Sequence, residues 1–319
     1  MSRAVGVDEL VARARQGEPR AVARLVSLIE DASPALREAT AALAPHTGRA
    51  RVVGLTGSPG VGKSTSTGML VSAYRKRGAR VGVLAIDPSS PFSGGALLGD
   101  RIRMQDHATD HDVFIRSMAS RGHLGGLAAA TPQAVRVLDA AGFDVVLIET
   151  VGVGQAEVEV ASAADSTVVM LAPGMGDSIQ AAKAGILEIA DVFVVNKADR
   201  DGADLTVRDL RYMLSLADRD AARWKPPIVK TVAAKGEGGD EVVEALDKHA
   251  AWAEESGELV RRRQTRAADE IEALAVGSLR ARMGDVRGGT TLDELARCVA
   301  LGELDPYAAA DQLIAAVTS

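Results

Sequence analysis

A nine-residue stretch constrains this chain more than any other: Gly57-Ser58-Pro59-Gly60-Val61-Gly62-Lys63-Ser64-Thr65. It stands directly after the apolar run Val52-Val53-Gly54-Leu55 and before a helical pattern marked by Met69, Leu70, Ala73 and Tyr74. Glycines at those places let the backbone curl until successive N–H groups converge on one point. A helix opening from such a turn directs the positive end of its dipole at the same point. Lys63 adds a charge suited to β- and γ-phosphates, and Ser64 a hydroxyl suited to magnesium. Pattern and context together specify a nucleoside triphosphate site on a strand–loop–helix unit.

The surrounding sequence supplies a fold for that unit. Short β-branched runs at Val52–Leu55, Val81–Ile86, Val113–Ile115, Val145–Ile148, Thr167–Leu171, Val192–Val195 and Ile228–Thr231 read as strands. They alternate with helical stretches from Arg51 to about Trp252. Such alternation implies an α/β fold, a mostly parallel central sheet flanked by helices on both faces. Residues Val7 to Ala44 carry helical spacing interrupted by Pro19, Pro34 and Pro45, and helix returns at Leu259–Met283, Leu292–Val299 and Pro306–Val317. Three regions follow: a helical N-terminal extension (1–48), a nucleotide domain (49–253) and a helical C-terminal extension (254–319). The last reads either as extra helices packed on the core or as a dimerisation arm.

Composition narrows the class. Hydrophobic residues make up 47% of the 319 and aromatics only 3%, so the core is built from Ala, Val, Leu and Ile. A net charge of −6 opposes a nucleic-acid footprint. Cys298, the sole cysteine, rules out an internal disulfide and fits a reducing cytosol. No run of 18 apolar residues is present, and the first residues lack a signal-like apolar core. The expectation is a soluble cytoplasmic protein with no membrane or nucleic-acid partner.

The base and metal sites are read from strand ends. Asn196-Lys197-Ala198-Asp199 follows the strand Val192–Val195. A carboxylate at Asp199 accepts hydrogen bonds from the N1–H and exocyclic amine of guanine, which adenine lacks. Asn196 would tie this loop to the phosphate loop, and the Lys197 stem would lie over the base. Ala233, Ala234 and Lys235, after the next strand, place backbone N–H groups near the guanine carbonyl. GTP and GDP are the expected ligands. Glu149 closes the strand Val145–Ile148, within reach of magnesium, and Gly152 offers its N–H to a γ-phosphate. Val153 follows Gly152 where many GTPases carry glutamine; the nearest amide is Gln155. Intrinsic hydrolysis is therefore expected to be slow, the missing group coming from a moving loop or a partner. Asp87 and Asp100 bracket a Pro/Gly-rich loop and read as magnesium-water ligands or nucleophile holders, or else as solvated loop residues. Asp177, Gln180 and Lys183 share a helical spacing and read as a partner-sensing element or a capped amphipathic helix.

Five segments in order carry a resemblance: GSPGVGKST at 57–65, DPSSPFSGGALLGDRIRM at 87–104, ETVGVGQAE at 149–157, PGMGDSIQAAKAGILEIAD at 173–191 and NKAD at 196–199. Together they resemble the MeaB/ArgK-type GTPases of the SIMIBI class, chaperones of adenosylcobalamin-dependent acyl-CoA mutases. The resemblance covers nearly the whole chain. It implies a homodimer joined through the C-terminal helices and nucleotide-sensitive switches at Asp87–Asp100, Thr150–Glu157 and Asp177–Lys183. It also implies association with methylmalonyl-CoA mutase, gated loading of intact adenosylcobalamin, ejection of damaged cofactor, and hydrolysis stimulated by the mutase. Lys63, Asp100, Glu149 and Lys183 would carry the reaction, with Lys183 and Asp177 linking nucleotide state to partner. Two other readings stay open. A nickel-metallocentre assembly GTPase of the hydrogenase or urease type needs Cys/His clusters, whereas His46, His107, His111, His123 and His249 are scattered. An ArgK-like ATPase linked to amino-acid transport sits poorly with Asp199.

Overall fold

The computed structural model describes residues 6–31, 33–88, 107, 109–120, 130–150, 156–174, 186–216, 223–283 and 290–318. Seven strands among them form one sheet: β1 (Arg51–Gly57), β2 (Val81–Pro88), β3 (Val113–Ser120), β4 (Val145–Thr150), β5 (Ser166–Leu171), β6 (Val192–Val195) and β7 (Ile228–Lys230). Their order is β3-β2-β4-β1-β5-β6-β7, and every pairing is parallel. The helices are α1 (Val7–Arg15), α2 (Pro19–Glu30), α3 (Leu36–Leu43), α4 (Lys63–Lys76), α5 (Ala130–Ala140), α6 (Ala156–Ala163), α7 (Ile186–Ile189), α8 (Ala203–Leu216), α9 (Gly239–Glu255), α10 (Glu258–Met283), α11 (Thr290–Ala300) and α12 (Pro306–Thr318).

Parallel strands covered on both faces have no solvent side, so their sequences run continuously apolar instead of alternating. Every residue of β4, β5 and β6 is buried, as are all of β1 beyond Arg51. Successive side chains still point to opposite layers. Val53, Leu55, Val145 and Leu147 pack with Leu70 and Tyr74 of α4 and Val242 and Leu246 of α9. Val52, Val146 and Ile148 face the other way, into a cluster with Val137 and Leu138 of α5. That cluster also takes Leu10, Val11 and Ala14 of α1 and Val22, Leu25, Val26 and Ile29 of α2. With Ala39 and Leu43 of α3 in the same cluster, the first three helices share the core of the sheet.

The seven strands stand where the apolar runs lie, but β3 continues five residues past Ile115, to Ser120. Arg116 and Ser117 interrupt its apolar run, which hides the continuation in the sequence. The Arg116 guanidinium is taken up by Glu30 and by Ser27, both on α2, the latter at 3.2 Å. An edge strand accepts such a residue because a neighbouring helix satisfies it.

The chain divides into two compact units, residues 1–263 and 264–319, the division falling within α10. In the second unit α11 packs against α12. In the first, two arginines at the start of α10 are bound to the leading ends of the strands. Arg262 forks onto Asp191, just before β6, with N–O distances of 2.7 and 2.9 Å, and its Nε donates to Glu258 at 2.9 Å. Arg263 binds Asp165, just before β5, at 2.8 Å and donates to the carbonyls of Gly48 and Ala50. Asp191 is buried, and its other neighbours are His249 Nε2 at 3.1 Å and the Thr167 amide, which donates to it at 2.8 Å. His249, wholly buried, has its Nδ1 2.7 Å from the Ser166 hydroxyl.

Burial alone would raise the Asp191 pKa, but His249 and the Arg262 fork outweigh it and hold the carboxyl below its ordinary range. A carboxylate with a depressed folded-state pKa stabilises the fold above its unfolded pKa of about 4 and loses that contribution as pH falls through the lower folded value. Removing the Arg262 fork leaves a buried carboxylate short of its main counter-charge, at a cost of about 3 kcal/mol. Urea unfolding of Arg262→Ala near neutral pH is expected to show that loss. Repeating the titration on Asp191→Asn should flatten the decline in stability that the parent chain shows below about pH 4.

Candidate nucleotide site

All the loops at the trailing ends of parallel strands emerge at one sheet edge, which is where ligands of open α/β sheets bind. The register Leu55↔Glu149 sets the end of β4 beside the loop that leaves β1. That loop turns through positive φ at Gly57 (144°), Gly60 (81°) and Gly62 (96°). Two of these glycines are also sterically obligatory: a Cβ would fall 2.4 Å from the Met170 carbonyl oxygen at Gly57 and 2.5 Å from Asn196 Nδ2 at Gly62. Ser58 is half-buried, Pro59 and Gly60 are exposed, and Val61 packs into the core.

Helix α4 opens at Lys63. Its ammonium folds back over the loop, donating to the carbonyls of Gly57 at 2.7 Å and Ser58 at 3.2 Å. Ser64 Oγ donates to Glu149 Oε1 at 2.5 Å. Thr67, one turn further on, lies 2.9 Å from Glu149 Oε2 and 3.1 Å from the Lys63 carbonyl, so its single proton serves one of them at a time. Glu149 is only 1% exposed, which places a carboxylate and two hydroxyls in a nearly water-free corner under the loop. Thr65 points outward and is exposed.

The second half of the site is organised by Asn196, itself 3% exposed. Its Nδ2 donates to the Val61 carbonyl at 2.8 Å, while Oδ1 accepts from the Ala233 amide at 3.0 Å and from the Thr231 hydroxyl at 3.1 Å. One side-chain amide thus joins the phosphate loop, the end of β6 and the turn after β7. Lys197 has φ +57°, the single positive φ outside glycine among the described residues, and its ammonium donates to the Gly60 carbonyl at 2.6 Å. Asp199 lies 3.6 Å from Lys235 Nζ and is 43% exposed, open to a ligand from the solvent side. Ala233–Lys235 form one short 3-10 turn, Ala233 buried and Ala234 and Lys235 exposed.

Asp87 is the seventh residue of β2. Asp100, Gly152, Asp177, Gln180 and Lys183 lie outside the described residues. Among the described residues no three His, Cys, Asp or Glu side chains cluster as metal ligands, and His107 Nε2 is placed against α4, 3.2 Å from Ser72 Oγ and 3.3 Å from the Gly68 carbonyl.

Residues 22–286 match the family model described as methylmalonyl Co-A mutase-associated GTPase MeaB. The chain belongs to the MeaB GTPase family. A putative GTPase of Pyrococcus abyssi is 48% identical over 97% of this chain and 96% of its own length. The methylmalonic aciduria type A homolog of Mus musculus, a mitochondrial protein, is 40% identical over 67% of this chain and 52% of its own length. Among solved structures, a LAO/AO transport system kinase superposes with a TM-score of 0.73 at 27% identity, covering 100% of both chains.

In this MeaB-family GTPase, three contacts escaped the sequence reading: Thr67 and Ser64 sharing Glu149, Thr231 on Asn196, and Lys197 on Gly60. Thr67 carried a usable signal, since a hydroxyl three residues after Ser64 returns to the same helix face. Thr231 carried none, because its partner is 35 residues away. Substituting Asn196 by Ala strands the Val61 carbonyl and the Ala233 amide in the interior. Chemical denaturation without nucleotide should register a loss of about 2 kcal/mol, and an unchanged midpoint would show that the amide joins nothing.

Proposed function

We propose that this chain is a GTP-hydrolysing chaperone of an adenosylcobalamin-dependent acyl-CoA mutase, methylmalonyl-CoA mutase in the first instance. It would gate cofactor loading and protect or reactivate the mutase. The match over 22–286 to a family described as methylmalonyl Co-A mutase-associated carries this reading, and the methylmalonic aciduria name of the mouse relative supports it. The working compartment would be the cytoplasm, and no described helix is long and apolar enough to cross a membrane.

In this reading the phosphates lie in the loop Gly57–Thr65, held by its backbone N–H groups and by Lys63, which exchanges its loop carbonyls for phosphate oxygens. The paired Ser64 hydroxyl and Glu149 carboxylate are hard oxygen donors of the kind magnesium selects, and Asp87 and Asp100 would complete its shell through water. Magnesium bound there would neutralise charge developing on the β- and γ-phosphates. Asp199 would take the guanine edge, with Lys197 against the ring and the Ala233–Lys235 turn at the carbonyl. Gly152 would reach the γ-phosphate, and Lys183 would serve the reaction from the third switch. Val153, standing where glutamine orients water in many GTPases, leaves the isolated chain slow, so the mutase would stimulate turnover by completing the site.

A homodimer fits the second unit. Ile271, Leu274 and Leu279 on α10, Leu301 after α11, and Tyr307 and Ile314 on α12 are each half or more exposed. Apolar side chains in that number on α10, α12 and the turn after α11 suit a surface that a second copy would cover.

Multiple-turnover GTPase assays with and without methylmalonyl-CoA mutase test the central reading. The rate is expected to rise about tenfold or more with the mutase, and no change in rate together with no co-purification would remove the assignment. Base selection has its own check. Asp199→Asn should shift preference from GTP toward xanthosine triphosphate, which restores complementary donors and acceptors; retained GTP selectivity would take Asp199 out of the site.

A further inference from the structure

At the sheet edge opposite the phosphate loop, a pocket of about 340 Å³ opens among the leading ends of β1, β4 and β5, the last turn of α4 and the outer face of α9. All its lining residues belong to the first compact unit. Its polar groups are unevenly satisfied. Asp165 is committed to Arg263 and to the Val52 amide, and Asp144 accepts the Arg80 amide at 2.7 Å. Arg49 and Glu254 are exposed at the rim, Glu254 acting on Arg263. What is left is a group of four: Arg51, Arg77, Asp247 and Tyr74.

Two guanidinium groups here share one carboxylate. Arg51 Nη1 binds Asp247 Oδ1 at 2.5 Å, and Arg77 Nη1 binds Oδ2 at 2.7 Å. Beyond these, Arg77 Nη2 has a long contact of 3.4 Å to the Asp240 carbonyl. Arg51 and Arg77 exceed Asp247 by one positive charge, which Asp144 balances across the lining, and they keep a surplus of N–H donors in the planar fork geometry that matches oxyanions. Tyr74 supplies a third kind of donor. It is 4% exposed and lines the pocket, and its hydroxyl lies beside the Arg51 guanidinium, which it can accept from, with no acceptor for its own proton. A buried hydroxyl in that state carries a desolvation cost that an acceptor would remove. Burial pushes the phenol up to about 12, beyond the pull of the Arg51 guanidinium, so it keeps its proton and donates.

We propose that this rear pocket is a second binding site, for a small organic oxyanion (a phosphate monoester or a carboxylate), seated by the Arg51 and Arg77 guanidinium groups and the Tyr74 hydroxyl. The volume exceeds what a bare ion fills and so admits an organic body behind the charged head. Half-exposed Asp247 sets the specificity: it holds the two forks in place and repels ligands whose charge is not brought squarely onto them. The proposal is independent of the mutase assignment, because none of these residues belongs to the nucleotide site.

Calorimetric titration of the full chain, loaded with magnesium and a non-hydrolysable GTP analogue so that the front loop is filled, tests it with two probes. Glycerol 3-phosphate represents the phosphate monoesters and succinate the carboxylates. One of the two is expected to bind saturably, one per chain, and so identify the head group. Tyr74→Phe, which preserves packing, and Arg77→Gln should each weaken that binding about tenfold or more while leaving affinity for the GTP analogue unchanged. Absence of saturable binding by both probes, or equal binding by both variants, overturns the site.

Discussion

The parallel pairing of β1 with β4 is the constraint from which the remainder of the molecule follows. It sets Leu55 opposite Glu149, so the chain leaving β1 and the carboxylate ending β4 meet at one edge. Helix α4 then starts beneath the turn, and its first two hydroxyl-bearing turns close on Glu149. A slip of one residue would carry Glu149 to the opposite layer, among the side chains around α5, because strand side chains alternate between faces. The slip is excluded by Glu149 itself, whose carboxylate would be buried in an apolar layer away from Ser64 and Thr67.

Legibility in the sequence followed range. Strand positions could be read because central parallel strands are nearly uninterrupted apolar runs, and the phosphate loop could be read because its glycines, lysine and serine are contiguous. β3 was cut short because Arg116 looks like a strand terminator until Glu30 of α2 is placed beside it. The anchoring of α10 was invisible for the same reason: Arg262 and Asp191 are 71 positions apart, and each alone resembles an ordinary surface charge. The boundary between the compact units falls inside a helix, where no glycine or proline marks it. The segment Asn196–Asp199 lay between these extremes, its residues recognisable from their order and its bonds to Val61 and Ala233 recognisable only in three dimensions.

The two edges of the sheet divide the labour of the first unit. The trailing edge gathers the glycine-turned loop after β1, with Lys63 folded onto its carbonyls, and the segment after β6 that Asn196 ties to it. Along the leading edge, arginine–aspartate pairs bind α10 and α9 to the strand starts, the Arg262 fork lying over a buried histidine–aspartate contact. Buried pairs of this type contribute little net stability, since desolvation consumes most of their attraction, but they define one geometry sharply.

Asn196 has a kinetic consequence. Its amide is a shared latch, closed at once on the cradle side through Val61 and on the ring side through Ala233. Moving the loop after β1 breaks the bond from Nδ2, and moving the turn after β7 breaks those to Oδ1, so each half opens only at the expense of this one side chain. With a nucleotide seated as proposed, a partner that loosened this amide would be expected to quicken its release.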